Sequence, residues 1–128
     1  MIYLDSSVAL AQLFGEDRRP PARLWEEPLF SSRLLEYELW NRAHARKLTR
    51  HQQEEVAALV DQVSLVELSP TVLARALQPF PSPVRTLDAL HLATLDFLHR
   101  NGRPVRLASY DARMNAAASR MKLELYAC

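Results

Sequence analysis

The sequence predicts a single α/β domain, residues 1–128, built as a mainly parallel sheet packed between helices. Three observations lead there. The opening run Met1-Ile-Tyr-Leu4 is apolar without polar alternation, which suits a strand covered on both faces of a parallel sheet. Further short runs of this kind alternate with longer stretches of helical periodicity. The chain has 128 residues, 48% hydrophobic and 24% charged, enough for one domain with a real core.

Each element follows from local chemistry. The first strand covers about residues 2–5 and ends on Asp5. Ser6 or Ser7 is expected to cap a helix reaching Phe14, because a hydroxyl accepts from the free amides of a first turn. Gly15 ends it, and residues 16–21 form a polar loop. A short helix at 22–27 and a strand at 29–31 come next. Ser32 is expected to cap a helix through Lys47, with Leu35, Leu39 and Ala43 at helical spacing. Thr49, with Gln52 three residues on, has the form of a capping box and opens a helix through Val63. These two helices form a protruding αα-hairpin. A third strand is predicted at 65–68. Pro70 starts a helix through Leu77. The loop 79–83 holds Pro79, Pro81 and Pro83 and cannot be regular helix. A strongly apolar helix covers 86–99 and stops at Asn101-Gly102. A strand at 105–108, a helix at 111–120 and a strand at 123–126 complete the chain.

Composition excludes several classes. The single Cys128 rules out a disulfide within the chain and a cysteine-based zinc site. No apolar run reaches membrane-spanning length, and no secretory pattern precedes Asp5, so a cytoplasmic location is expected. The net charge of +1 is neutral on the question of an anionic partner. Its distribution is more telling, because Arg42, His44, Arg46, Lys47, Arg50 and His51 fall within ten residues. That cluster suits either a contact with a nucleic-acid backbone or a solvated helix end.

Four carboxylates resist a surface explanation. Asp5 and Asp111 each follow a strand, at the edge where open α/β sheets bind ligands. Helix capping alone would also account for either. Asp88 lies in a helix apolar on most faces, where an unpaired charge costs several kcal/mol. A helix-dipole position, or pairing with Arg85 or His91, would relieve it. Glu38 lies beside Leu35 and Leu39, whereas Glu36 shares that face less well; a surface pair with Arg42 is the simpler alternative. Like charges gathered at one place need protons or a cation. Oxygen ligands without cysteine favour Mg²⁺ or Mn²⁺ over zinc. The chemistry that fits is phosphodiester hydrolysis.

At this point the residues resemble the PIN-domain nucleases, and most closely the VapC-type toxins of bacterial toxin–antitoxin pairs. Met1-Ile-Tyr-Leu-Asp-Ser-Ser7 is similar to the family's opening strand with its first acid. Ser32-Arg-Leu-Leu-Glu-Tyr-Glu-Leu39 is similar to its Ser-to-Glu segment, which selects Glu38. Arg85-Thr-Leu-Asp-Ala-Leu-His-Leu-Ala93 carries the third acid at Asp88. Ala108-Ser-Tyr-Asp-Ala-Arg-Met114 resembles the closing motif, with Asp111 as the fourth. Arg42 stands one step later than the basic residue that usually follows the Glu.

The resemblance implies a three-layer α/β/α sandwich and a Mg²⁺- or Mn²⁺-dependent endoribonuclease. It also implies an RNA substrate, a cognate antitoxin and a homodimer. Asp5, Asp88 and Asp111 would hold the metal and Glu38 would complete the pocket. Ser6 and Ser109 would orient carboxylates, and Thr86 would do so or cap its helix. Arg85 would clamp a phosphate or pair with Asp88. His91 reads as a packing residue before a ligand. Leu39 and Trp40 suggest a groove for an antitoxin segment.

Two other readings compete. A phosphatase-like hydrolase with Asp5 as nucleophile would need an Asp-x-Asp arrangement, and residue 7 is Ser. A non-catalytic PIN-like module that binds RNA or protein would be expected to lose some of the four acids.

Overall fold

A computed structural model describes residues 1–15 and 17–128. The described residues form five strands and six α-helices in the order β1 (Ile2–Leu4), α1 (Ser6–Phe14), β2 (Leu29–Ser32), α2 (Leu34–His44), α3 (Arg50–Asp61), β3 (Val63–Val66), α4 (Pro70–Ala76), α5 (Thr86–Arg100), β4 (Arg106–Ala108), α6 (Ala112–Arg120) and β5 (Glu124–Leu125). A 3₁₀ turn at Ala22–Glu26 precedes β2. The predicted loop at 16–21 begins at Glu16, which lies outside the described residues.

The sheet order is β3-β2-β1-β4-β5, with every pair parallel. The chain first builds outward from β1 to β3, then crosses to β4 and builds the other way. The point of reversal lies between β1 and β4, where open parallel sheets leave a ligand crevice beyond the strand ends. Leu4 is matched to Ala108, and the Asp5 amide donates to the Ala108 carbonyl at 3.0 Å. The residues just past the two strand ends, Asp5 and Ser109, are therefore brought level.

Two cores cover the sheet, giving three layers. Ile2 and Leu4 point into one with Val8, Leu35, Leu39, Val56 and Leu59, which joins α1, α2 and α3 to the sheet. Tyr3, between them in sequence, points into the other with Leu92, Leu95, Leu107 and Met114. That division is the two-residue period of a strand. The inner stripe of the αα-hairpin belongs to the first core, while its connecting residues Ala45, Arg46, Lys47 and Thr49 are exposed. The Thr49–Gln52 capping box forms as the sequence predicts. No described helix is long and apolar enough to cross a membrane.

Several boundaries differ from expectation. Asp5, rather than Ser6 or Ser7, occupies the N-cap of α1; the carboxylate accepts from the Ser7 amide at 3.4 Å. β3 starts two residues early, at Val63, because it pairs with β2 from Leu29↔Val63 to Ser32↔Val66. Helix α2 stops at His44 rather than Lys47, and α3 stops at Asp61. Leu39 is fully buried in the first core, so it cannot line a partner groove.

The core makes a direct prediction. Leu95 is completely buried on α5. Leu95→Ala should lower unfolding free energy by about 2–5 kcal/mol in urea denaturation, through lost transfer energy and the cavity left behind.

Candidate active site

Asp5 is the hub of the site, at the C-terminal end of β1 and only 4% exposed. Its Oδ2 accepts from the Ser7 hydroxyl at 2.6 Å and from the Ser109 hydroxyl at 2.8 Å. Each hydroxyl donates its one proton here, so each can only accept elsewhere. Ser7 Oγ accepts from the Tyr110 amide at 2.9 Å, and Ser109 Oγ accepts from the Asp111 amide at 3.0 Å. These bonds clasp the turn after β4 to the turn after β1. Among the described residues no hydrogen bond reaches Asp5 Oδ1. From the sequence Ser7 is only a possible cap; its contact with Asp5 depends on the turn geometry after the strand.

Asp111 is the N-cap of α6, and its Oδ1 accepts from the amides of Arg113 at 2.9 Å and Met114 at 3.3 Å. The capping explanation therefore holds for both strand-end acids, and each retains a second oxygen. Asp88 lies in the first turn of α5 and is half-buried. Among the described residues it forms no hydrogen bond or ion pair with Arg85 or His91. Its carboxyl is held above the ordinary 3.8 by burial first, then by the charges of Asp111 and Asp5, against the lowering influence of His91 and Arg85. Asp5, Asp88 and Asp111 thus repel one another across a shared space. Arg85 and Thr86 are exposed at the start of the same helix, and Arg85 is its N-cap residue.

Glu38 closes the group from α2. Its Oε2 accepts from the Ser6 hydroxyl at 3.2 Å, and its Oε1 lies 2.5 Å from His91 Nε2. Glu36 turns away and meets Arg33 at 3.7 Å on the surface. His91 is 1% exposed, and its Nδ1 lies 2.8 Å from the Tyr3 hydroxyl, whose oxygen also accepts from the Ser32 amide at 3.1 Å. Burial alone would lower the His91 pKa. The Glu38 hydrogen bond and the charges of Glu38, Asp5 and Asp88 outweigh it and raise the imidazole above 6.5. Burial also pushes the Tyr3 phenol upward, so it stays neutral. The surrounding acids therefore favour the protonated form of His91. Its position three residues beyond Asp88, on the same helix face, was the one sequence signal for this.

The donor set fits a hard divalent cation. It is carboxylate oxygen throughout, with unpartnered oxygens on Asp5 and Asp88 and mutual repulsion for a cation to relieve. The acids are gathered but not drawn into a coordination shell: among the described residues no three His, Cys, Asp or Glu side chains surround one point closely enough to hold an ion.

Two outcomes follow from these charges. In the absence of divalent cations, Asp88→Asn should raise thermal stability at neutral pH. The raised carboxyl binds its proton more tightly folded than unfolded, so ionisation destabilises as pH rises above 3.8. The gain should close in acid; a variant less stable at neutral pH would contradict the repulsion. His91→Gln should behave oppositely. A raised His stabilises fully below its ordinary 6.5 and loses that contribution as pH rises through its folded value. The loss on substitution should therefore be larger in mild acid than in base, as read by melting temperature across pH.

Similarity to known proteins bears on the family and the fold. Residues 2–119 match the PIN domain family. The fold is similar to the crystal structure of the Mycobacterium tuberculosis toxin VapC20, described as Sarcin-Ricin loop cleaving, with TM-score 0.69 and 20% identity over 91% of this chain and 95% of that one. No curated protein matches the chain. With the family match spanning nearly its whole length, the chain belongs to the PIN domain family.

Proposed function

We propose that the protein is a Mg²⁺- or Mn²⁺-dependent endoribonuclease, the toxin of a VapC-type toxin–antitoxin pair. The observation that carries this reading is the meeting of four carboxylates from separate elements at the reversal point of a parallel sheet. Membership of the PIN family supports it. The likeness to VapC20, whose description names a Sarcin-Ricin loop cleaving toxin, supports it further.

In this reading Asp5, Asp88 and Asp111 would hold the cation, which when bound would supply neutralising charge to the phosphate and acidify an attacking water. The chain's own residues arrange that encounter. Ser7 and Ser109 fix Asp5 Oδ2 and leave Oδ1 without a hydrogen bond among the described residues. Glu38 is held at both oxygens, by Ser6 and by His91, so it completes the pocket without swinging away. Arg85, exposed at the rim, meets the substrate phosphate. The expected partners are an RNA with a single-stranded or looped target, a cognate antitoxin that silences cleavage, and a second copy of the chain in a homodimer.

A second reading, a PIN-like module that binds RNA without cutting it, draws on the open spacing of the acids. Cleavage separates the two. Purified protein free of antitoxin should cut RNA with Mg²⁺ or Mn²⁺, and both EDTA and Asp5→Asn should abolish it. Ser109→Ala should reduce the rate by about 10–100-fold, as loss of a hydrogen bond to a metal-site carboxylate does. Metal-independent binding with no cleavage would favour the module.

A further inference from the structure

The acids are not among the described residues that line the groove next to them. Beside them, between the end of α1 and the end of α2, runs a groove of about 620 Å³. Its charged wall is Arg18, Arg42 and Arg46, and no acidic residue is among the described residues lining it. The groove and the acid site share residues: Ser7 donates to Asp5 Oδ2 and accepts from the Tyr110 amide, and both Ser7 and Tyr110 line the groove.

Two arginines are seated rather than loose. The Arg18 guanidinium lies 5.0 Å from the centre of the Tyr110 ring, and that of Arg46 lies 4.6 Å from the centre of the Phe14 ring. Such stacking leaves the guanidinium edge free to donate to phosphate oxygens. Among the described residues Arg18, Arg42 and Arg46 form no ion pair. The turn that brings Arg18 here depends on Gly15, because a Cβ at that position would lie 2.4 Å from the Ala11 carbonyl oxygen and 2.7 Å from that of Arg18.

We propose that this groove is the track for the RNA strand running away from the scissile phosphate. Arg18, Arg42 and Arg46 take successive backbone phosphates, and the Phe14 and Tyr110 walls accommodate unstacked bases. The inference rests on the nuclease reading. It is favoured over a peptide occupant by the charge: an acidic site beside a channel whose described charged lining residues are all arginine matches a chain whose scissile phosphate meets a cation and whose flanking phosphates meet arginines.

The test is binding of a single-stranded RNA by fluorescence anisotropy, in EDTA so that nothing is cut, across a range of salt. The comparison is wild type, Arg18→Gln with Arg46→Gln, and a control carrying Arg103→Gln with Arg120→Gln, all exposed arginines. Each phosphate contact on a single strand contributes about 0.7 to the slope of log K against log salt, so the groove variant should lose about 1.4. The control should keep the wild-type slope. A groove variant that binds and cuts like wild type would overturn the groove while leaving the nuclease intact. An equal loss in the control would overturn it in favour of diffuse attraction. Groove substitutions that weaken an antitoxin but not RNA would assign the surface to protein. Wild type that neither binds nor cuts RNA would defeat the nuclease reading and this inference together.

Discussion

Crowding like charges at one edge of a sheet is the constraint on which the rest of this structure depends. Asp5, Asp88 and Asp111 face a shared space closely enough that the first and last raise the pKa of the other. Left bare, that arrangement would open the edge of the fold. Each acid is instead given a local compensation that leaves part of it free. Hydroxyl donors hold one oxygen of Asp5, and the first-turn amides of α6 hold one oxygen of Asp111. Asp88 sits where the dipole of α5 favours negative charge. Stability and chemistry pull against each other here, as they do at sites that hold charge in readiness.

The second compensation is longer in range. Tyr3 on β1, the Ser32 amide at the end of β2, His91 on α5 and Glu38 on α2 form one hydrogen-bonded chain through the sheet. It begins in the core opposite to the one that anchors α2, so it ties the two helical layers together across β1. Because its members stand on strands and helices rather than loops, Glu38 is fixed with the rigidity of the core itself. The same chain sets, at the back of the acid cluster, an imidazole whose protonated form the acids favour.

Local chemistry was legible in the sequence and partnership across distance was not. An apolar run ending in Asp5, and another followed by Ser109-Tyr-Asp111, mark strand ends because a parallel strand needs apolar faces and its end does not. The capping box at Thr49 and the proline stop at 79–83 are likewise settled by neighbouring residues. The Glu38–His91 contact spans 53 residues and the Tyr3–His91 contact 88, and neither leaves a periodic trace. The boundary of β3 depends on its register with β2, which hydropathy does not set. Leu39 fits an exposed helix stripe and a core stripe equally well until α1 is packed against it. Asp96 is buried between Arg75 and Arg100, an ion pair across α4 and α5 that no local pattern announces.

The central claim is that the acids form one cation site. Calorimetric titration of Mn²⁺ into wild type and into Asp88→Asn tests it without reference to any RNA. The account predicts saturable binding by wild type, with a rise in melting temperature, and loss of both in the variant. Equal Mn²⁺ affinity in the two proteins would contradict it and would return these carboxylates to capping and surface roles.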